Sequence, residues 1–290
     1  MNAPKVIERL SEIAGRYDVV LCDVWGVIHN GRESFPDACE ALVRFRKDRG
    51  PVVLISNAPR PSAAVLPQLA ALRVPEDAWS GFVTSGDATR AELLKLADTG
   101  KVWALGPARD APLYDGLPLT FAAGPDDAAF VCCTGPIDDE TETPDDYRAV
   151  LKPLAERRVP FVCANPDRVV QRGDKLIYCG GALADVYAEY GGPVIMAGKP
   201  YSPIYDTCLE GAARLLGRPA DRARVLAVGD GVPTDVLGAN AQGLDVLFVA
   251  SGIHGADVTA PDGTLDAQRT AELLARAGAT ATYATYDLVW

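Results

Sequence analysis

The chain has 290 residues, 48% of them hydrophobic and 23% charged, with a mean hydropathy of +0.04. That is enough apolar material for one large core or two packed domains, and too much for a disordered chain. A net charge of -11 sets long-range repulsion against nucleic acid and against an anionic membrane, so neither is expected as a partner; a small phosphorylated ligand stays open, because a bound cation makes a site locally positive.

Residues 1–18 alternate charged residues with Val6, Leu10 and Ile13, which is not the apolar core of a secretion signal, and no run approaches the roughly 18 apolar residues of a membrane span. Short apolar runs then recur along the chain: Val19-Val20-Leu21-Cys22, Val52-Val53-Leu54-Ile55, Phe130-Val131-Cys132-Cys133, Phe161-Val162-Cys163, Val225-Leu226-Ala227-Val228 and Leu244 to Val249. Continuous runs of this kind fit strands covered on both faces, as in a parallel sheet. Between them lie helical patterns. In Asp37 to Arg49, Ala41, Leu42 and Phe45 share one face and Gly50 is a stop signal; in Pro144 to Arg158, Tyr147, Val150, Leu151 and Leu154 do the same. The alternation predicts an α/β fold. Seven cysteines, with no C-x-x-C and mostly in apolar runs, read as reduced thiols of a cytoplasmic protein, and two histidines give little support to a zinc site.

Chemistry concentrates where strands end. Asp23 closes the first run and Gly26 follows three residues later. Ligands of open α/β sheets bind at such carboxyl ends, although an Asp here serves equally as a cap of the next turn. Val228-Gly229-Asp230-Gly231-Val232-Pro233-Thr234-Asp235 repeats the pattern with a second Asp at the start of a helix. Two carboxylates brought together need a cation between them, and hard oxygen ligands suit Mg²⁺; N-capping accounts for one of them more easily than for both. Ser56 and Asn57 end the second run, and Lys199 lies between Gly198 and Pro200. Ser56 and Lys199 could hold phosphate oxygens, or be ordinary turn and surface residues.

In this order, strand-Asp-x-x-Gly, strand-Ser-Asn, Gly-Lys-Pro and strand-Gly-Asp-x-x-x-x-Asp resembles the motif series of the haloacid dehalogenase (HAD) superfamily. The Gly-Lys-Pro form and the long insert before it are similar to class IIA, as are the segments Cys163 to Asp167 and Cys179 to Ala184. The resemblance runs from about Asp18 to His254 and implies a Rossmann-like parallel-sheet core over residues 1–85 and 192–290, with an α/β cap inserted over 86–191 that shapes the substrate pocket. It implies that Asp23 attacks phosphorus and forms an aspartyl-phosphate, that Ser56 and Lys199 hold the phosphoryl group with Asn57 beside it, and that Mg²⁺ is bound by Asp23, Asp230 and the backbone carbonyl of Trp25, with Asp235 supporting it. In the cap, Asn165, Asp167, Gly180 and Gly181 are candidate substrate contacts, the glycines through helix N-terminal N–H groups, and Arg168 and Arg172 could take a second anionic group. The resemblance also makes a homodimer plausible.

One position departs from the family pattern. HAD phosphatases read D-x-D, the second Asp being the general acid and base, and here that residue is Trp25. An indole does neither job, and acid–base help is typically worth about 10²–10⁴ in rate. Three routes remain: a good leaving group, a substitute acid such as His29, or slow turnover in a protein that mainly binds phosphorylated ligands. An aromatic here also occurs in 2-haloacid dehalogenases, which need no metal, so dehalogenation is the rival to a Mg²⁺-dependent hydrolase of a small phosphorylated metabolite such as a sugar phosphate. Trp25, Trp79, Trp103 and Trp290 are expected to pack in a core or an interface. The apolar end Leu288-Val289-Trp290 is expected to pack back onto the core or onto a second subunit.

Overall fold

The structure, a computed structural model, describes residues 3–172 and 175–290, without the side chains of 171, 172 and 175. The side chain of Arg172, a candidate anion ligand, therefore lies outside the described residues. The strands are β1 (Lys5–Val6), β2 (Val19–Asp23), β3 (Val52–Ser56), β4 (Gly81–Thr84), β5 (Val102–Leu105), β6 (Phe130–Cys133), β7 (Phe161–Cys163), β8 (Val169–Arg172), β9 (Lys175–Tyr178), β10 (Val194–Met196), β11 (Val225–Gly229), β12 (Asp245–Val249) and β13 (Tyr283–Thr285). Each of the six apolar runs forms a strand. The sequence patterns did not single out β1, β4, β5, β8, β9, β10 and β13, which are two to four residues long. The chain divides into two compact units, one of Met1–Ser56, Leu66–Val83 and Lys199–Trp290, the other of Asn57–Val65 and Thr84–Gly198.

The first unit is built on a seven-stranded parallel sheet in the order β1-β13-β12-β11-β2-β3-β4. From β2 the chain adds strands on one side, and from β11 on the other. The β2/β11 pair is thus the point where strand order reverses, the place where such sheets bind ligands. Register aligns Cys22 with Val228 and Asp23 with Ile55, so the carboxyl ends of β2, β3 and β11 lie at one edge. All five residues of β2 are buried, as a strand with both faces covered requires. The helix Pro36–Asp48 turns Ala38, Ala41, Leu42 and Phe45 inward and puts Arg46 and Lys47 in its last turn, where cations suit the helix dipole. It stops as expected before Gly50, where a Cβ would sit 2.2 Å from the carbonyl oxygen of Asp18. The chain end folds back: Leu288 is buried in the main apolar cluster, Trp290 packs against it, and the Leu10 N–H donates to Val289 O at 2.8 Å.

The second unit has a four-stranded parallel sheet, β10-β7-β6-β5, and an antiparallel hairpin, β8-β9. Alternation along the strands separates its two apolar faces. Val131, Cys133, Phe161 and Cys163 pack with Leu151, Leu154, Leu183 and Tyr187, while Val102, Phe130, Cys132 and Val162 pack with Leu93 and Leu113. The segment expected as one helix from Pro144 begins as a 3₁₀ turn, Pro144–Tyr147, and becomes α-helical over Arg148–Glu156. Reciprocal capping by Thr143 and Asp146 supplies its first-turn hydrogen bonds. All seven cysteines are buried, and none is paired in a disulfide. No helix among the described residues is long and apolar enough to cross a membrane.

Candidate active site

Asp23, the last residue of β2, is buried at the carboxyl edge of the sheet. Asp230 follows the end of β11, and Asp235 lies four residues into a loop-to-helix passage that starts as a π-turn, Val232–Val236, with Pro233 in its first turn. These three side chains converge: one carboxylate oxygen from each lies within 4.8 Å of the others. Lys199 enters the same group. Its Nζ donates to Asp23 Oδ1 at 2.5 Å and to Asp235 Oδ1 at 2.7 Å, and the side chain is buried. Sequence order thus spans 176 residues between Asp23 and Lys199, and folding closes it to a direct ion pair.

Three ionised carboxylates and one ammonium leave two negative charges in a buried site. Burying unbalanced charge is expensive, and the group is reduced in cost by protonation or by a cation. Burial pushes the Asp23 carboxyl up to about 6, with Lys199 pulling it down and Asp230 pushing it up further. Asp230 also rises to about 6, through burial and then Asp235, and Asp235 rises to about 6 through burial and then Asp23. Burial opposes the charge on Lys199, but Asp23 and Asp235 outweigh it and hold the ammonium well above its ordinary value. An all-oxygen donor set short of two positive charges fits a hard divalent cation.

Other groups fix where the carboxylates point. Asp230 Oδ2 accepts the N–H of Ile253 at 2.8 Å. A Cβ at Gly252 would lie 2.0 Å from that oxygen, and one at Gly26 2.2 Å from it. Gly26 also has φ +84°, a left-handed conformation that disfavours side chains. Asp235 Oδ2 accepts from the Gly231 N–H at 3.1 Å and the Thr234 hydroxyl at 3.3 Å. Gly26 was visible in the sequence as the glycine after Asp23. Gly252, Ile253 and Thr234 were missed, and the signal available was a second strand end followed by glycine, Ser251-Gly252 after β12.

Of the two places expected for Trp25, a core or an interface, the structure excludes the core: the residue is 52% exposed. The turn after β2 fills the core with Val24, Val27 and Ile28, so the indole is left outside. It meets His29 edge to face with ring centroids 5.3 Å apart, and its ring tip lies 2.2 Å from where a Cβ of Gly31 would be. His29 is buried, its Nδ1 accepts the Gly31 N–H at 3.1 Å, and burial lowers its pKa to about 4. The imidazole is therefore neutral near pH 7, with its proton on Nε2, and belongs to the packing of this turn. Trp79, Trp103 and Trp290 are partly buried against apolar clusters, as expected.

The remaining candidates fall into separate places. Ser56 ends β3 beside Asp23's neighbour Ile55 and is partly buried. Asn57, in the second unit, donates from Nδ2 to Asp167 Oδ1 at 2.9 Å, and Asn165 Oδ1 accepts the Asp167 backbone N–H at 3.1 Å, so Asp167 links the two asparagines. Gly180 and Gly181 open the helix Gly180–Glu189. The Gly181 N–H donates to Asp167 O at 3.1 Å, and a Cβ there would lie 2.1 Å from Pro166 O. Gly181 thus binds the loop to the helix, and its N–H is engaged there instead of being open to an anion. Arg168 is paired with Asp185 on the surface, through Nε and Nη2 at 3.0 Å each.

Comparison with known proteins identifies the family and the fold. Residues 20–117 match the family described as haloacid dehalogenase-like hydrolase, and residues 196–274 match the family described as HAD-hydrolase-like. A solved hydrolase of the haloacid dehalogenase-like family from Brucella suis 1330 is 43% identical, covers 98% of this chain and 100% of its own, and superposes with a TM-score of 0.84. The 5'-nucleotidase YutF of Bacillus subtilis (strain 168) is 29% identical over 240 residues, 82% of this chain and 88% of that protein. A 4-nitrophenylphosphatase from Thermotoga maritima shares the fold at 20% identity and a TM-score of 0.70, over 95% of this chain and 96% of its own. The chain belongs to the haloacid dehalogenase-like hydrolases, and its parallel core sheet with a separate inserted parallel sheet is the class IIA form of that family.

Proposed function

We propose that this hydrolase is a Mg²⁺-dependent phosphatase of small phosphorylated metabolites, with Asp23 as the nucleophile. The observation that carries the reading is the buried group of Asp23, Asp230, Asp235 and Lys199, which lacks two positive charges. A metal-free dehalogenase has no use for Asp230 and Asp235 beside its nucleophile, so the cluster favours phosphate chemistry over dehalogenation. Similarity to a 5'-nucleotidase and to the fold of a 4-nitrophenylphosphatase supports the same choice. Nucleoside monophosphates and sugar phosphates belong in the substrate panel beside activated aryl esters.

Asp23, Asp230 and the Trp25 carbonyl would hold the cation, with Asp235 supporting it. When bound, Mg²⁺ supplies charge neutralisation at the phosphoryl oxygens, which an anionic nucleophile needs to approach. Lys199 holds the Asp23 carboxylate in place through Oδ1, leaving Oδ2 to attack phosphorus, and its ammonium offsets charge on the phosphoryl group. Ser56 is placed in sequence to donate a neutral hydrogen bond to that group, with Asn57 next to it. Covalent capture by Asp23 divides the transfer into two displacements at phosphorus. Asn165, Asp167 and Gly180 of the second unit are the proposed substrate-recognition residues, and the second unit as a whole the substrate-selecting cap.

Phosphate release should be measured over a panel of phosphomonoesters with Mg²⁺ and with chelator. Release that depends on Mg²⁺ and is lost in Asp23→Asn is the expected result; no release from any ester would sink the phosphatase reading.

A further inference from the structure

The side chains around Asp23 hold its charge well and are poorly suited to delivering a proton. Lys199 commits two of its three donors to Asp23 and Asp235, which hold it charged. Asp235 accepts on both oxygens, from Lys199 on one and from Gly231 and Thr234 on the other. Asp230 accepts from Ile253 on Oδ2, which Gly26 and Gly252 wall in, and its carboxylate belongs to the proposed cation site. His29 is closed in, its Nδ1 occupied by Gly31 and its ring covered by Trp25. The one exposed side chain on the turn that follows Asp23 closely is Trp25, whose indole has no proton to give at neutral pH. Among the described residues of the first unit, the carboxyls and the ammonium beside Asp23 are thus committed to one another, to backbone N–H groups or to the proposed cation site, and the imidazole is closed in.

Resting on the phosphatase reading, we propose that the substrates are phosphates whose leaving group departs as a stabilised anion, an acyl, enol or aryl phosphate, and that Trp25 sets this preference. In the first displacement a bond forms between Asp23 Oδ and phosphorus. The bond from phosphorus to the leaving oxygen breaks, and its electron pair leaves with that oxygen as a free anion, which stays ionised or takes a proton from solvent according to its basicity. In the second displacement water attacks the same phosphorus, the bond to Asp23 breaks to regenerate the carboxylate, and the water's proton passes to solvent as inorganic phosphate is released. Unassisted departure makes the rate of the first displacement depend steeply on how well the leaving group bears charge. Ordinary sugar phosphates, which leave as alkoxides, are then the poorest substrates of the panel.

The test is kcat/KM, which reports the steps through leaving-group departure, over aryl phosphates from dinitrophenyl to unsubstituted phenyl, with one alkyl phosphate, for wild type, Trp25→Phe and Trp25→Asp. A steep fall is expected for wild type and Trp25→Phe. In Trp25→Asp, a carboxyl on this turn should flatten the profile and raise the worst substrates by up to about 10²-fold, the lower end of general-acid assistance. A flat wild-type profile would overturn the inference while leaving the phosphatase reading intact, and a profile as steep in Trp25→Asp as in wild type would overturn the role of Trp25. Release from no ester would overturn both. Because Trp25 is half exposed, the comparison of wild type with Trp25→Phe stands even where the aspartate variant folds poorly.

Discussion

Replacing Lys199 with Met keeps a long side chain in the buried position and removes the one ammonium shared by two carboxylates. At 2.5 and 2.7 Å, and with an effective dielectric constant of about 20, each contact has a gross attraction of about 6 kcal/mol. Taking the lysine out of water offsets much of this, since burial alone opposes its charge. What the substitution exposes is the cost of carboxylates left buried without a counter-charge, about 3–5 kcal/mol when one partner of a buried pair is removed. Denaturant unfolding in chelator should therefore show Lys199→Met less stable than wild type by about that amount. The same experiment in Mg²⁺ should narrow the gap, because a ligand bound only by the folded state adds about 2.7 kcal/mol at a concentration 100 times its Kd, and the variant site carries one more uncompensated negative charge than wild type. Equal stability of the two proteins in chelator, within about 1 kcal/mol, would refute the view that Lys199 is the counter-ion of this cluster.

One further outcome tests the surroundings of this cluster and another an ion pair elsewhere in the fold. Gly252→Ala would place a methyl group 2.0 Å from Asp230 Oδ2, so the carboxylate must turn; Mg²⁺ affinity, read by titration calorimetry, should fall about 10–100-fold as for other losses of ligand support, and an unchanged affinity would remove Asp230 from the metal site. Away from the site, Arg224 and Arg218 hold the Asp18 carboxyl below the usual carboxylate range. A folded-state value below the unfolded one gives stability that is whole above about pH 4 and lost as pH falls further. The stability gap between wild type and Asp18→Asn should thus be present at neutral pH and close in acid, and a gap that widens in acid would reverse the assigned sign.

Much of this site was legible because its chemistry sits where sequence patterns are clearest. Asp23 and Asp230 end apolar strands, and parallel pairing of β2 with β11 converts two strand ends far apart in sequence into neighbours. Lys199 could be suspected from its place between Gly198 and Pro200, but its burial between two carboxylates depends on chain return that no local pattern encodes. The core reading of Trp25 failed because a large aromatic residue is ordinarily buried, and here a turn packed by Val24, Val27 and Ile28 leaves the indole outside. Gly181 looked like part of an anion cradle, yet its N–H meets a carbonyl from a loop whose course the local sequence does not give. The short strands escaped notice for a plainer reason: two to four residues carry too little periodicity to distinguish a strand from a connecting loop.

The central claim is that Asp23 itself receives the phosphoryl group, and the most direct measurement is the mass of the protein after acid quench during turnover of an activated aryl phosphate with Mg²⁺. The account predicts one phosphoryl group per chain, located on the peptide containing Asp23 and absent from Asp23→Asn. Phosphate released at full rate with the label on another residue, or with the label retained in Asp23→Asn, would contradict it.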